Sequence, residues 1–353
     1  MSDIYQRKRD HIELCNEGPV HGGEHFGLFE DVALVHDALP ELAMDELELG
    51  VRFLDHDLSA PVMVTGMTGG PAEAGDINRG LARACARMGL AFGVGSQRVI
   101  TKAAESLDTF RVRGAAPDVV LFGNLGVVQA RDMGVAAAAE LMRSIDADYL
   151  AIHLNPAMEL VQPGADADTD FRGGYDIIGR LVDALDGRVL VKECGTGLGP
   201  RAVRRLASLG VRAVDVSGSG GTSWVKVEAL RAEGRQAELG MLFANWGIPT
   251  AAAVALSANV PVQIVASGGI ADGLVAGKAI ALGADVVGCA RPVLQAFLRD
   301  GEAGAEAFLR TLVQGLRMVL ALTGCRTPAA LREAPRVIGP RLQAWLGHEG
   351  TRR

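Results

Sequence analysis

The sequence predicts an α/β protein folded as a closed (β/α)₈ TIM barrel, and two observations carry that prediction. Short apolar runs recur along the 353 residues in alternation with helical stretches, about eight strand–helix units in all. Glycine or polar residues follow nearly every run, whereas an open doubly wound sheet would normally carry one glycine fingerprint at its first strand. The composition agrees. With 49% hydrophobic residues, 45 glycines and 5% aromatics, the chain suits parallel strands rich in Val, Ile and Ala joined by short loops.

The strands are expected at Pro61–Thr65, Ala91–Val94, Val119–Phe122, Tyr149–His153, Val189–Lys192, Ala213–Val216, Val262–Ala266 and Asp285–Gly288. Helical character falls between them, as at Ile77–Met88, Val135–Ile145, Gly174–Leu185 and Pro200–Leu209. The chain therefore reads as one domain over residues 1–353. An extension spans about 1–60 and contributes to the substrate site, the barrel about 61–292, and outer helices about 293–347. Lys226–Ala244 lengthens the sixth loop, either as a mobile lid or as a solvated excursion.

Bulk properties narrow the function. The formal charge of −7 argues against general nucleic-acid binding. No apolar run approaches membrane-helix length, and Met1–Asp10 is polar, so a cytoplasmic protein without membrane insertion is expected. The five cysteines are widely spaced and lack metal-site spacing, which predicts buried reduced thiols. Cys194 alone stands near a motif.

In such a barrel the loops after the strands converge on one face and build the active site. The sixth, seventh and eighth carry Gly220-Gly221-Thr222, Gly268-Gly269 and Ala290-Arg291. Glycine loops opening onto helix N-termini expose backbone N–H groups to an anion, so these form one candidate phosphate cradle. Lys192 ends a buried strand and faces an anionic or electron-rich ligand, by flavin contact or as a Schiff base. The polar endings Thr68, Ser96 and Asn124 suit the edge of a heteroaromatic ring. A second set, Arg7, Lys8, His11, Arg98, His153 and Asn155 with Glu159, could hold a diphosphate and Mg²⁺.

At these residues the chain resembles the type 2, FMN-dependent isopentenyl diphosphate isomerases. The likeness runs from Arg7-Lys8-Arg9-Asp10-His11-Ile12 to Gly283-Ala284-Asp285, and includes Asp215-Val216-Ser217-Gly218 to Trp224 and Trp246-Gly247-Ile248-Pro249-Thr250. The resemblance implies a barrel assembled as a homo-tetramer or homo-octamer, with reduced FMN, Mg²⁺ and NAD(P)H or another reductant. It places flavin contacts at Met67, Thr68, Gly69, Ser96, Asn124, Lys192, Ser217, Gly221 and Thr222, with the flavin phosphate at Gly268, Gly269, Ala290 and Arg291. Substrate diphosphate would meet Arg7, Lys8, Arg98, His153 and Asn155, with His11 and Met158 also at the substrate, and the metal would meet Glu159. Lys192, His153, Met158 and Asn245 mark the positions of the chemistry.

Two of those positions depart from the family. A glutamine usually precedes the metal-binding glutamate where this chain has Met158, and an acidic residue usually precedes Trp-Gly-Ile-Pro-Thr where it has Asn245. Neither side chain can act as an acid or base. The resemblance thus implies an isomerase in which the flavin carries the proton. Open beside it are a divergent enzyme using reduced flavin on another isoprenoid diphosphate and a flavin-binding protein without catalysis.

Overall fold

Eight parallel strands close into a barrel in the computed structural model, which describes residues 3–21, 27–162 and 167–347. The strands are β1 (Val62–Val64), β2 (Ala91–Gly93), β3 (Val120–Gly126), β4 (Tyr149–Leu154), β5 (Val189–Glu193), β6 (Ala213–Asp215), β7 (Gln263–Ser267) and β8 (Val286–Cys289). Each pairs with the next, and β8 returns to β1 with Gly288 opposite Met63. All eight fall on the expected runs. Residues 1–2, 22–26, 163–166 and 348–353 of the expected domain lie outside the described residues.

Strand alternation fills the barrel interior. Met63, Ala91, Phe122, Ala151, Leu190, Ala213, Val265 and Val286 point inward from the eight strands and form one apolar cluster. Phe122 stacks on Tyr149 at 5.0 Å, a contact worth about 0.5–1.5 kcal/mol beyond its buried area. Strands Val51–Phe53 and His56–Leu58 make a hairpin whose Phe53, Leu54 and Leu58 join this cluster and plug one end. Asp55 at its turn accepts from Tyr149 Oη (3.0 Å) and Arg212 (2.8 Å), which fixes the plug.

Thirteen α-helices occur among the described residues. α1 (Asp3–Glu17) precedes the barrel; α2 (Ala72–Met88) follows β1, α3 (Val127–Arg143) follows β3, α4 (Pro156–Val161) and α5 (Gly174–Ala184) both follow β4, and α6 (Pro200–Ser208) follows β5, while two short 3-10 helices, Gln97–Thr101 and Ala104–Phe110, follow β2. The sixth loop holds α7 (Trp224–Arg231), α8 (Gly234–Leu242) and then α9 (Thr250–Ser257). After β7 come α10 (Gly273–Ala281), α11 (Arg291–Leu322), α12 (Pro328–Glu333) and α13 (Pro340–Gly347). No helix among the described residues is long and apolar enough to cross a membrane.

Two features were not legible in the sequence. The extended sixth loop, expected as a mobile lid or a solvated excursion, holds two packed helices. A Cβ on Gly240 of α8 would come within 2.6 Å of Ala229 Cβ on α7, so glycine permits their close approach. The second feature ties the two ends of the chain: Val32–Leu34 pairs antiparallel with Arg336–Ile338. Such a pairing across some 300 residues leaves no local pattern.

Candidate functional site

The site is the top layer of the barrel, built by the alternation that fills its core. Two residues beyond the apolar Met63, Phe122, Ala151, Leu190, Ala213 and Val265 stand Thr65, Asn124, His153, Lys192, Asp215 and Ser267. Polar groups therefore replace apolar ones where the strands reach the mouth. Strand register sets His153 beside Lys192, and Lys192 beside Asp215.

Two adjoining cavities open there. The first, of about 190 Å³, is lined by Met67, Thr68, Lys192, Ser217, Gly221 and Thr222, and by Gly268, Gly269, Ala290 and Arg291. The second, of about 110 Å³, is lined by Arg7, Ser96, Arg98, Asn124, His153, Asn155, Met158 and Glu159. Lys8, His11, Met67, Lys192, Cys194 and Trp224 belong to both walls. The expected flavin and diphosphate sets thus largely separate into neighbouring compartments. Ser96 and Asn124, expected on the ring side, line the second one. Gly69 lines neither; a Cβ there would strike the Phe110 ring at 2.0 Å, so its glycine serves packing. Asn245 is exposed and also outside both walls.

The phosphate cradle is backbone against backbone. A Cβ on Gly221 would lie 2.6 Å from Gly269 N, and one on Gly269 would lie 2.7 Å from Gly220 O. Side chains are excluded where the sixth and seventh loops interlock. Ala290 opens α11 with no side-chain cap and no acidic residue in the first turn, leaving that positive helix end to an anion. Two polar atoms of residues on the first wall, Thr68 Oγ1 and Arg291 Nη1, are buried without a hydrogen-bond partner among the described residues. A phosphate-bearing heteroaromatic cofactor answers this donor set. Ser217, between the two walls' shared Lys192 and the cradle loops, has φ +37, and strained residues of this kind cluster at ligand sites.

Arg291 also joins the cradle to α1. Its Nε donates to Cys15 O (2.6 Å) and its Nη2 to Gly18 O (3.2 Å), while Gln295 Nε2 donates to Asn16 O (2.7 Å). These carbonyls end α1 and would otherwise lack intrahelical partners. The other side of α1 docks on α7. His11 Nε2 meets the fully buried Glu228 carboxylate at 2.8 Å, Arg231 holds Glu228 at 2.6 Å, and Asp10 holds Arg231 at 3.1 Å. His11 packs edge-on against Trp224 at 5.0 Å. Burial opposes the charge on Glu228, yet His11 and Arg231 keep its pKa below the ordinary glutamate value. Through these contacts α1 carries Arg7, Lys8 and His11 to the barrel mouth.

Charges in the second cavity are arranged to receive an anion. Burial, then Arg7 and Arg98, lower the Lys8 amine to about 8 against the pull of Glu228. Below that pH Lys8 is a cation, and above it the site loses a charge. Affinity for inorganic pyrophosphate should therefore fall as pH rises through about 8, and Lys8→Arg should flatten the decline because guanidinium stays charged. Calorimetric titration between pH 6.5 and 9.5 reads this; a flat wild-type profile would remove Lys8 from the anion site.

His153 is held neutral, its pKa lowered to about 3 by burial and by Lys192, Lys8 and Arg98. Asn124 Nδ2 donates to Val94 O (3.1 Å), so its Oδ1 accepts from His153 Nδ1–H (2.8 Å) and leaves Nε2 as the unprotonated nitrogen. A neutral imidazole cannot serve as a resident acid. Glu159 accepts from Asn155 Nδ2 (2.8 Å) and Asp168 N (2.9 Å), and burial raises its pKa. A hard cation beside it would restore the carboxylate. Lys192 donates to Glu193 O (2.8 Å). Burial weighs most on its charge, but Cys194, Asp215 and Glu193 hold its pKa above the ordinary lysine value. All five cysteines are unpaired, and burial raises the Cys194 thiol to about 11, which makes it a poor nucleophile.

Sequence reasoning missed several residues here. Asp215 sits under Lys192, Glu228 anchors α1, and Asp168 pairs with Arg98 at 3.0 Å. Asp215 had a signal, since it ends a strand in the position Lys192 occupies on its neighbour. Glu228 and Asp168 lie on excursions where spacing says nothing about partners.

Residues 130–337 match the FMN-dependent dehydrogenase family. An isopentenyl-diphosphate delta-isomerase of Synechococcus sp. is 45% identical, covering 96% of this chain and 97% of its own. One from Xanthobacter autotrophicus is 44% identical over 94% and 96%, and one from Methanothermobacter thermautotrophicus 40% over 98% and 97%. Among solved structures, a Pediococcus acidilactici lactate oxidase (putative) matches at TM-score 0.69 with 17% identity, covering 96% of this chain and 94% of that one. A mandelate oxidase matches at 0.65 with 15% identity, covering 96% and 100%; at such identities the likeness speaks for the barrel alone. This chain belongs to the FMN-dependent dehydrogenase family and, within it, to the FMN-dependent, type 2 isopentenyl-diphosphate delta-isomerases.

Proposed function

We propose that the protein interconverts isopentenyl and dimethylallyl diphosphate with FMN held reduced and Mg²⁺ on the diphosphate. One observation carries this reading: a glycine-built phosphate cradle and a cationic cavity ending at Glu159 meet across a shared wall that includes Lys192. The first cavity would hold FMN, with Gly268, Gly269, Ala290 and Arg291 at its phosphate and Thr68, Ser217 and Thr222 along its length. Arg7, Lys8, Arg98, His153 and Asn155 would take the substrate headgroup. NAD(P)H is the proposed reductant, and a cytoplasmic homo-tetramer or homo-octamer the proposed form. The role of residues 1–60 as a substrate-side extension to one barrel domain belongs to the same proposal.

The metal assignment rests on the chemistry of the donors. Among the described residues no group of three His, Cys, Asp or Glu side chains is placed to hold an ion. Glu159 would give one oxygen, with the diphosphate and water supplying the rest, the usual Mg²⁺ pattern.

Moving the double bond requires proton gain at one carbon and loss at another. Met158 has no exchangeable proton, Asn245 lies outside both cavities, and His153, being neutral, is no proton donor. FMN, when bound and reduced, would supply the acid–base chemistry. The chain's own residues bind and orient. α1 and Arg98 fix the headgroup, while Lys192 offers a fixed positive charge that needs no reorganisation during reaction. Met158, Met67 and Trp224 give the hydrocarbon an apolar wall.

Anaerobic incubation of FMN-loaded, reduced protein with Mg²⁺ and isopentenyl diphosphate should yield dimethylallyl diphosphate, and chelation of the metal should stop it. No product from protein that still holds FMN and binds the diphosphate would favour an enzyme of another isoprenoid diphosphate, which the apolar Met158 wall would suit.

A further inference from the structure

One face of α4 carries more than the metal-site glutamate. Asn155, Met158, Glu159 and Gln162 stand at i, i+3, i+4 and i+7, the spacing of a single helical stripe, and all four line the second cavity. The first three touch one another: Asn155 Nδ2 reaches Glu159 Oε1 at 2.8 Å and Met158 Sδ at 3.7 Å. Gln162 does not share in this. It is 4% exposed, and its Nε2 is buried without a hydrogen-bond partner among the described residues.

Buried amides are nearly always paired, because an unmet donor has lost its water for nothing in return. The cavity that Gln162 lines also holds Arg7, Lys8 and Arg98, so the ligand it accommodates is anionic. Gln162 lines that wall one helical turn beyond Glu159, and turning its side-chain amide about the last torsion would bring the buried N–H to an acceptor oxygen of such a ligand. We propose that Gln162 is a substrate-binding residue whose Nε2–H donates to an oxygen of the metal-bound diphosphate. This rests on reading the second cavity as the diphosphate site. Gln162 extends the headgroup set from cations and a metal carboxylate to a neutral donor, which contributes direction rather than charge.

The test uses FMN-loaded protein and magnesium pyrophosphate as the probe, with melting temperature of the ligand-free protein read in parallel. Gln162→Leu should weaken pyrophosphate about tenfold. It should raise KM for isopentenyl diphosphate by a like factor at nearly unchanged kcat, without lowering the ligand-free melting temperature. Gln162→Glu should weaken binding further, since a carboxylate then faces the anion. Equal pyrophosphate affinity in wild type and Gln162→Leu would overturn the inference, whatever happens to the melting temperature. No pyrophosphate binding by the wild type would instead overturn the diphosphate reading itself.

Discussion

Lys192→Met is expected to lower isomerase kcat by about 10²–10³-fold, the usual consequence of removing one fixed charge from a site that stabilises developing charge. The reasons lie in its surroundings. Lys192 is 8% exposed, lines both cavities and stands in register with His153 on one side and Asp215 on the other. Its ammonium is held by neighbouring Cys194, Asp215 and Glu193 in spite of burial. Methionine fills similar volume and keeps the strand. Asp215, whose pKa burial already raises, would take up a proton instead of remaining an unpaired buried anion. The fold should survive, and so should much of the flavin affinity, because the cradle loops do not depend on Lys192. Lys192→Arg should not restore activity, since a planar fork cannot occupy the space of a compact ammonium. Rates under reduced anaerobic conditions, with flavin content from absorbance, test this. A variant within fivefold of wild type, flavin-loaded, would take Lys192 out of the chemistry.

Gly268→Ala should cost about 3 kcal/mol of stability and most of the bound FMN. Gly268 has φ +96, where L-residues are strained, and its added Cβ would sit 2.1 Å from Gly218 O. Neither obstacle is a side chain that can swing away. Thr250 Oγ1 donates to Gly268 O (2.6 Å), so the loop cannot retreat without losing that bond too. Any shift of Gly268 moves Gly269, and with it the interlock to Gly220 and Gly221 that shapes the cradle. Gly114→Ala is the matched control: it is exposed, nothing lies within 4 Å of its added Cβ, and its stability change should stay within about 0.5 kcal/mol. Thermal melts with and without FMN measure both. Equal melting temperatures and flavin content in the two variants would show that the cradle has slack the backbone contacts do not reveal.

These two residues also mark how far the sequence alone reaches. Lys192 and Gly268 were legible because strands and their loops obey local rules: alternation sends every second side chain inward, and the residue that ends an inward row becomes the floor of the mouth. The eight strands, the closure of the barrel and the glycine cradle all follow from such short-range patterns. The grouping of Lys8 and Arg7 with the same site rested on their cationic type and on family likeness, for nothing in α1 itself says that it lies over the barrel.

What tertiary structure decided is the placement of pieces far apart in sequence. The fully buried Glu228 holds His11 across 217 residues, and Arg291 caps the end of α1 while offering Nη1 to the cradle. Gln162 became notable only when its amide proved buried without a partner among the described residues, and only the structure shows Asn245, singled out by the sequence, to be exposed and outside both cavities. His153 was expected among the headgroup contacts, and only its burial beside three cations shows it to be neutral. The sequence by itself determined the barrel and the chemical types at its mouth, because those depend on periods of two and about four residues. Partners, protonation states and the division into two cavities depend on long-range packing and on desolvation, which exist only once the chain has closed on itself.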